Sequence, residues 1–309
     1  MNDSLAMIPA APEDFRSGFV GIIGRPNVGK STLMNKLIGQ KVAITSPVAQ
    51  TTRNRLQGIL TTESAQIIFV DTPGIHKPHH ELGRVLVRNA QSAINDVDLV
   101  VFVVDSSSSV GGGDRFIYDL LKRTKIPVIL GLNKQDLQPE NHHDLDDSYK
   151  DLVGDLPWQI VKLSAETGQG TQKLQQLIVS NLSNGPYYYP PELVTDRPER
   201  FIMAELIREQ ILLLTREEIP HSVAIYIERV IESKHITKIF AAINVEKDSQ
   251  KGIIIGKKGS MLKRIGTEAR NQIQKLISGN VYLELFVKVE PKWRQSKLRL
   301  SEFGYRVEE

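Results

Sequence analysis

Gly24-Arg25-Pro26-Asn27-Val28-Gly29-Lys30-Ser31 places a glycine, four free positions and then Gly-Lys-Ser. That spacing builds a phosphate cradle. The glycines let backbone N–H groups turn inward onto phosphate oxygens. A helix that starts at the lysine adds positive potential from its N-terminus. Lys30 supplies a point charge to the terminal phosphates, and the Ser31 hydroxyl can coordinate Mg²⁺. The stretch Gly24 to Thr32 is therefore expected to contact a nucleotide's phosphates.

Three later segments extend that chemistry. Asp71-Thr72-Pro73-Gly74 closes an apolar run. A carboxylate there can hold the Mg²⁺ shell, and Gly74 can offer its N–H to a γ-phosphate. Asn133-Lys134-Gln135-Asp136 closes another apolar run. Asp136 can accept from guanine N1–H and its 2-amino group, which adenine lacks. The Lys134 stem can cover the base, and Asn133 can brace the loops. Ser164-Ala165 follows the last apolar run, where a backbone N–H can reach guanine O6. In this order the motifs specify GTP rather than ATP. In the polar stretch 43–55, Thr52 is the first choice to complete the Mg²⁺ shell and Thr51 the second.

Such residues need a rigid frame. The runs at 18–24, 66–71, 98–105, 126–134 and 158–164 are short, continuous and rich in Val and Ile, as buried parallel strands are. Helical patterns lie between them at 30–38, 82–95, 114–123, 142–153 and 170–181. The alternation predicts a doubly wound α/β domain with a mostly parallel sheet, over residues 16–182. Ligands of such sheets sit beyond the carboxyl ends of the strands, where every motif above falls. Residues 1–15 read as a flexible tail without the early basic cluster of a signal peptide. The proline-rich stretch 183–198 reads as a linker whose three tyrosines pack on something.

Residues 199–309 follow a different pattern, that of a small α+β domain. A helix is expected at 199–213, strands at 223–232 and 236–246, a helix at 260–277 and a strand at 281–290. Charge divides the same way. Residues 197–309 hold 21 Lys+Arg against 15 Asp+Glu, whereas residues 1–196 hold 18 against 21. A basic excess confined to the last third points to a nucleic-acid partner. With no cysteine, disulfides and thiolate metal sites are excluded. No run approaches the roughly 20 apolar residues of a membrane span.

Gly256-Lys257-Lys258-Gly259 follows the apolar Ile253-Ile254-Ile255 and opens the 260–277 helix. A Gly-x-x-Gly loop in that context lets an RNA backbone come close. Lys257, Lys258, Lys263 and Arg264 add charge for phosphates. Ile254 and Ile255 fit either a base-contacting groove or the core.

GRPNVGKSTLMNKLIGQKVAITSPVAQTTRN, DTPGI, NKQD, LSAETG, GIIIGKKGSMLKRIGTEAR and VYLELFVKVEPKW together resemble the Era family of bacterial GTPases. The resemblance covers nearly all of the chain beyond its first fifteen or so residues. It implies a P-loop GTPase domain followed by a KH domain. It further implies a Mg²⁺-dependent enzyme that binds the 3′ region of 16S ribosomal RNA and assists assembly of the 30S subunit. Family members are cytoplasmic, partly associated with the inner membrane surface, and are expected to act as monomers that cycle between GTP and GDP. Well-known GTPases place a water-orienting glutamine after the Asp-x-x-Gly glycine, whereas Ile75 stands here. The resemblance implies K⁺ activation instead, with Asn27 helping to hold the ion near the phosphates. With Lys30, Thr52 and Gly74, Asn27 completes the expected catalytic group.

Ile75 also leaves room for a second reading, an RNA-binding assembly scaffold with a mainly structural nucleotide. His76, His79 and His80 fit a switch loop better than a metal site, given their spacing. Trp158 and Trp293 are expected to pack rather than to stack on bases. The acidic run 144–147 reads as a solvated helix face.

Overall fold

The computed structural model describes residues 8–46, 56–71, 94, 96–139, 143–216 and 218–303. The chain forms two units. One comprises Met1–Ala43 and Arg55–Asp196, the other Ile44–Asn54 and Arg197–Glu309.

The first unit is built on strands β1 (Arg16–Ile23), β2 (Leu56–Thr61), β3 (Ala65–Asp71), β4 (Leu99–Asp105), β5 (Val128–Asn133) and β6 (Gln159–Lys162). Their order in the sheet is β2-β3-β1-β4-β5-β6. Only the pairing of β2 with β3 is antiparallel. Every residue of β3 and β5 is buried, which is why these strands read as unbroken apolar runs. The described helices are α1 (Lys30–Ile38), α2 (Gly112–Leu121), α3 (His143–Val153) and α4 (Thr171–Asn181). Gly39 ends α1 in the left-handed region, φ 78°, where its N–H donates to the Asn35 carbonyl. Phe102, Ile117, Leu121, Leu130 and Tyr149 pack together on one side of the sheet. The chain leaves β1 toward β3 on one side and later adds β4 on the other. The carboxyl end of β1 is thus the switch point where such sheets hold ligands.

Strand β2 is not among the expected elements. It is short, lies at the sheet edge and carries Gly58 where Ile38 and Met34 press close. Of the stretch 183–198 read as a linker, residues 183–195 bond to the first unit. Ser17 N–H donates to Ser183 O at 3.1 Å, and Ile59 N–H donates to Val194 O at 2.9 Å. Gln66 Oε1 accepts from the N–H groups of Tyr188 and Tyr189 at 2.7 and 3.0 Å. Phe15 and Tyr187 pack with ring centroids 4.3 Å apart.

The second unit contains α5 (Glu199–Leu214), a short α6 (Ile219–Ser222), β7 (Ala224–Glu232), β8 (Ile236–Val245), α7 (Asp248–Ile255), α8 (Ser260–Ile273), β9 (Asn280–Val289) and α9 (Lys297–Glu302). The sheet order is β7-β8-β9. Strands β7 and β8 are antiparallel, while β8 and β9 are parallel across the α7–α8 crossover. Ile207, Ile211, Ile239, Ile254, Ile265 and Ile273 lie in its core with no exposed surface. Helix α7 is also absent from the expected elements, because its apolar residues come as a run, Ile253 to Ile255, rather than at helical spacing.

The described residues contain no helix long and apolar enough to cross a membrane. Trp158 packs edge-on against Phe102 and Tyr118, and Trp293 is buried with its indole N–H on the Ser222 carbonyl at 3.1 Å. Both tryptophans pack, as expected.

Candidate functional site

The phosphate loop turns from β1 into α1. A side chain at Gly24 would place its Cβ 2.3 Å from the Val103 carbonyl oxygen, so only glycine fits. Gly29 sits at φ 97°, and a Cβ there would strike the Asn133 amide. Asn27 is exposed at the loop's apex with φ 63°, a region that asparagine tolerates better than most residues. Lys30 starts α1 and is 8 % exposed. Its ammonium donates to the carbonyls of Gly24 and Arg25 at 3.2 and 2.9 Å. Burial pushes the Lys30 pKa below its ordinary value, and nearby Asp71 opposes that shift. The cation is thus already held inside the loop.

Ser31 and Asp71 converge, as their assignment to Mg²⁺ requires. The Ser31 hydroxyl donates to Asp71 Oδ2 at 3.0 Å, and Asp71 has no exposed surface. A hydroxyl and a buried carboxylate are the hard oxygen donors that Mg²⁺ selects. Thr32 follows on α1, half-buried. Thr51, Thr52, Thr72, Pro73, Gly74, Ile75 and the three histidines lie outside the described residues.

The motifs expected to read the base meet at the ends of β5 and β6. Asn133 Nδ2 donates to the Val28 carbonyl at 2.7 Å, and Asn133 Oδ1 accepts from Ala165 N–H at 2.8 Å. One side chain thus ties the phosphate loop to Ser164-Ala165. Ser164 is buried and its Oγ accepts from Thr167 N–H at 3.1 Å. Lys134 adopts φ 67° and its ammonium pairs with Asp105 Oδ2 at 2.6 Å, which extends the stem along the loop. Burial raises the Asp105 pKa, but bonds from Lys134 and Ser107 outweigh it and hold the carboxyl below its ordinary value. Gln135–Leu137 is a short 3₁₀ helix that carries exposed Asp136.

Several supporting residues escaped the sequence reading. Arg25 Nε donates to Asp114 Oδ1 at 2.7 Å, and Asp114 Oδ2 accepts from Gly111 N–H at 3.0 Å. The glycines before Asp114 hinted at a close approach: a Cβ on Gly113 would lie 2.5 Å from Arg25 Cδ. Asp146 is 1 % exposed and binds both glutamines around Asp136, which corrects its place on a solvated face. Asp144 and Asp147 are exposed as expected.

In the second unit, α7 ends at Ile255 and the chain turns through Gly256 at φ 69° and Gly259 at φ 77°. A side chain at Gly256 would collide with Met261, whereas nothing lies within 4 Å of a Cβ on Gly259. Space beside Gly259 is what a phosphate backbone needs. Lys257, Lys258, Lys263 and Arg264 are all exposed. Ile254 is fully buried in the core, so of its two readings the core one fits; Ile255 is partly buried. A groove of about 500 Å³ lies instead between α8 and β9, lined among others by Gly259, Leu262, Gly266, Arg270, Leu283 and Leu285. Apolar leucines beside cationic Lys263 and Arg270 suit bases and phosphates together. The alternation in 281–290 signalled a half-buried face, but not the groove that lies between it and α8.

Comparison with known proteins agrees with this geometry. Residues 19–134 match the family model described as 50S ribosome-binding GTPase, and residues 218–294 match the KH domain model. GTPase Era of Crocosphaera subtropica is 71% identical over 306 residues, covering 99% of this chain and 98% of the relative. GTPase Era of Synechocystis sp. is 69% identical over 307 residues, covering 99% and 98%. Among solved structures, a point variant of Aquifex aeolicus Era bound to GDP·AlF4⁻ aligns with TM-score 0.86 at 39% identity, over 95% of this chain and 100% of that one. A structure of Era with MgGDPNP and nucleotides 1506–1542 of 16S ribosomal RNA aligns equally well, with TM-score 0.86, 39% identity and the same coverage. On these grounds the chain belongs to the Era family of GTPases, with a P-loop GTPase domain followed by a KH domain.

Proposed function

We propose that this GTPase is a nucleotide-driven switch that binds the 3′ region of 16S ribosomal RNA through its KH unit and assists assembly of the 30S subunit. The observation that carries the reading is a double one within a single chain. Lys30, Ser31 and Asp71 converge on one phosphate site, and an open, lysine-bearing Gly256–Gly259 loop borders an apolar groove. The related Era solved with MgGDPNP and a 16S fragment binds the same two classes of ligand.

The phosphates rest on Gly24 to Thr32, and the γ-phosphate is sensed through Asp71 to Ile75. Asn133 to Asp136 and Ser164-Ala165 take the guanine. Ser31, Asp71 and Thr52 would hold Mg²⁺, which would supply positive charge against the charge that develops on transfer. Lys30 adds fixed positive charge at the phosphate oxygens, and the loop's N–H groups complete the cradle. Ile75 can neither orient nor polarise water, and Asn27 would help to hold a K⁺ that would supply charge where another protein would place an arginine. Ile255 to Gly259, Lys263 and Arg264 form the RNA loop, with the groove beside them and Ile254 buried beneath it in the core. We place the protein in the cytoplasm as a monomer with peripheral contact at the inner membrane.

Crosslinking with RNA sequencing, run in GTP and in GDP alongside multiple-turnover phosphate release in K⁺ buffer, tests this. We expect enrichment of the 16S 3′ region that differs between the nucleotides, with repeated turnover. Equal crosslinking in both states with negligible turnover would favour the scaffold with a structural nucleotide. No enrichment of 16S RNA would overturn both.

A further inference from the structure

Asp136 stands on a three-residue 3₁₀ helix, Gln135–Leu137. Such a turn has little stability of its own, because its hydrogen bonds are few and poorly aligned. Two backbone bonds close it, Leu137 N–H to Lys134 O at 2.9 Å and Gln138 N–H to Gln135 O at 3.3 Å. Its N-cap is Lys134, whose left-handed backbone is uncommon for lysine. Its placement must come from its neighbours.

Asp146 on α3 supplies much of it. Its Oδ1 accepts from Gln135 Nε2 at 3.1 Å and from Gln138 Nε2 at 2.7 Å, so one oxygen holds the residues on either side of the turn. Its Oδ2 pairs with Lys162 Nζ at 2.5 Å. Burial raises the carboxyl's pKa, but the bonds from Lys162, Gln138 and Gln135 outweigh it and keep the group below its ordinary value. It is therefore a charged acceptor at neutral pH. Ser106 makes the second anchor. Its Oγ accepts from Gln135 Nε2 at 2.9 Å and donates to Asn133 O at 2.7 Å, while its carbonyl accepts from Gln138 Nε2 at 2.6 Å.

We infer that Asp146 is a specificity-determining positioning residue, which holds the 3₁₀ turn so that both oxygens of Asp136 face guanine N1–H and the 2-amino group. The inference rests on the reading of Asp136 as the base reader. Two bonds to one carboxylate need a fixed orientation, whereas a single bond tolerates drift. Loosening the turn therefore costs guanine more than hypoxanthine, which lacks the 2-amino group.

The test measures GDP and IDP affinity by competition with a fluorescent GDP analogue on the full-length chain. Asp146→Asn keeps the volume but offers one acceptor oxygen to three donors. It should weaken GDP by about tenfold, the worth of one hydrogen bond to a charged group, and IDP by much less. Gln135→Ala with Gln138→Ala, which leaves Asp146 in place, should shrink the GDP-to-IDP ratio in the same way even if Asp146→Asn fails to fold. If either variant folds and keeps the wild-type ratio, or loses GDP and IDP affinity equally, the inference is overturned. Asp136→Asn, tested with XDP in the wild-type background, separates the two claims. A switch to XDP upholds the base-reader assignment whatever Asp146 does, and no switch removes the ground on which Asp146 was assigned.

Discussion

Arg25 in the phosphate loop donates through Nε to Asp114, a carboxylate with no exposed surface, at 2.7 Å. The main chain of the same Arg25 receives the Lys30 ammonium. The cation proposed to meet phosphate is thus held by a residue that is itself fixed from behind.

Removing Arg25 strands the Asp114 charge. Arg25→Ala should destabilise the fold by about 1–3 kcal/mol, the cost of leaving a buried acceptor short of its donor. The figure stays below that of a fully buried ion pair because the Arg25 side chain keeps 31% of its exposure. Arg25→Ala with Asp114→Asn should recover part of the loss, since the amide carries no charge to strand. Urea unfolding of the four proteins in the double-mutant cycle reads this directly. Additive losses would mean that the two side chains do not act as a pair.

Lys30→Ala should weaken GTP binding by about a hundredfold, the upper range for a hydrogen bond to a charged group. The KH unit should keep its RNA affinity, because its sheet and core are built from its own strands and helices. Equilibrium binding of a fluorescent nucleotide and of a 16S 3′ fragment to the same variant checks both halves. Loss of both ligands together would show that RNA binding depends on an intact nucleotide site.

Asn27 lies at the loop apex with φ 63°, so its substitutions must separate backbone shape from ligand chemistry. Asn27→Gly keeps the conformation and loses the side-chain oxygen. It should hold GDP nearly as well as the parent but show no stimulation when K⁺ replaces Na⁺. Asn27→Asp keeps an oxygen and should keep some stimulation. Phosphate release in matched Na⁺ and K⁺ buffers decides the matter, and equal rates in the parent protein would sink the K⁺ assignment.

The phosphate loop was legible because its chemistry fixes spacing along the chain. Gly24, Gly29, Lys30 and Ser31 all lie within one turn and its helix. Asp71 and Asn133 were legible because each ends a fully buried, apolar strand. Asp146 and Asp114 were not, because their roles depend on partners far away in sequence. Asp146 is one of several acidic residues on α3, and only packing sets it apart from exposed Asp144 and Asp147. Asp114 follows three glycines and reads as the first residue of a helix, with nothing in the sequence to mark Arg25 as its partner. Ile254 was ambiguous for a related reason. An apolar run shows that something is buried, but not whether core or groove covers it.

The Gly256–Gly259 loop yields the most discriminating prediction for RNA. Its two lysines are exposed, and the space beside Gly259 is clear. Lys257→Asp with Lys258→Asp should abolish RNA binding and leave GTP hydrolysis in the absence of RNA unchanged. Aspartate tolerates the left-handed backbone at 258 better than most residues, so the effect will be one of charge rather than of strain. Neutral substitutions separate the components. Each phosphate that goes unneutralised in Lys257→Ala with Lys258→Ala should lower the slope of log affinity against log salt by about 0.7, the value for single strands. Phosphates carry no sequence information, so matched and scrambled RNAs should weaken alike. Leu283→Ala in the neighbouring groove should do the reverse, narrowing the preference for the matched RNA while leaving the salt slope in place. An unchanged slope in the lysine variant, or a loss confined to one sequence, would mean that the loop does not hold the RNA backbone.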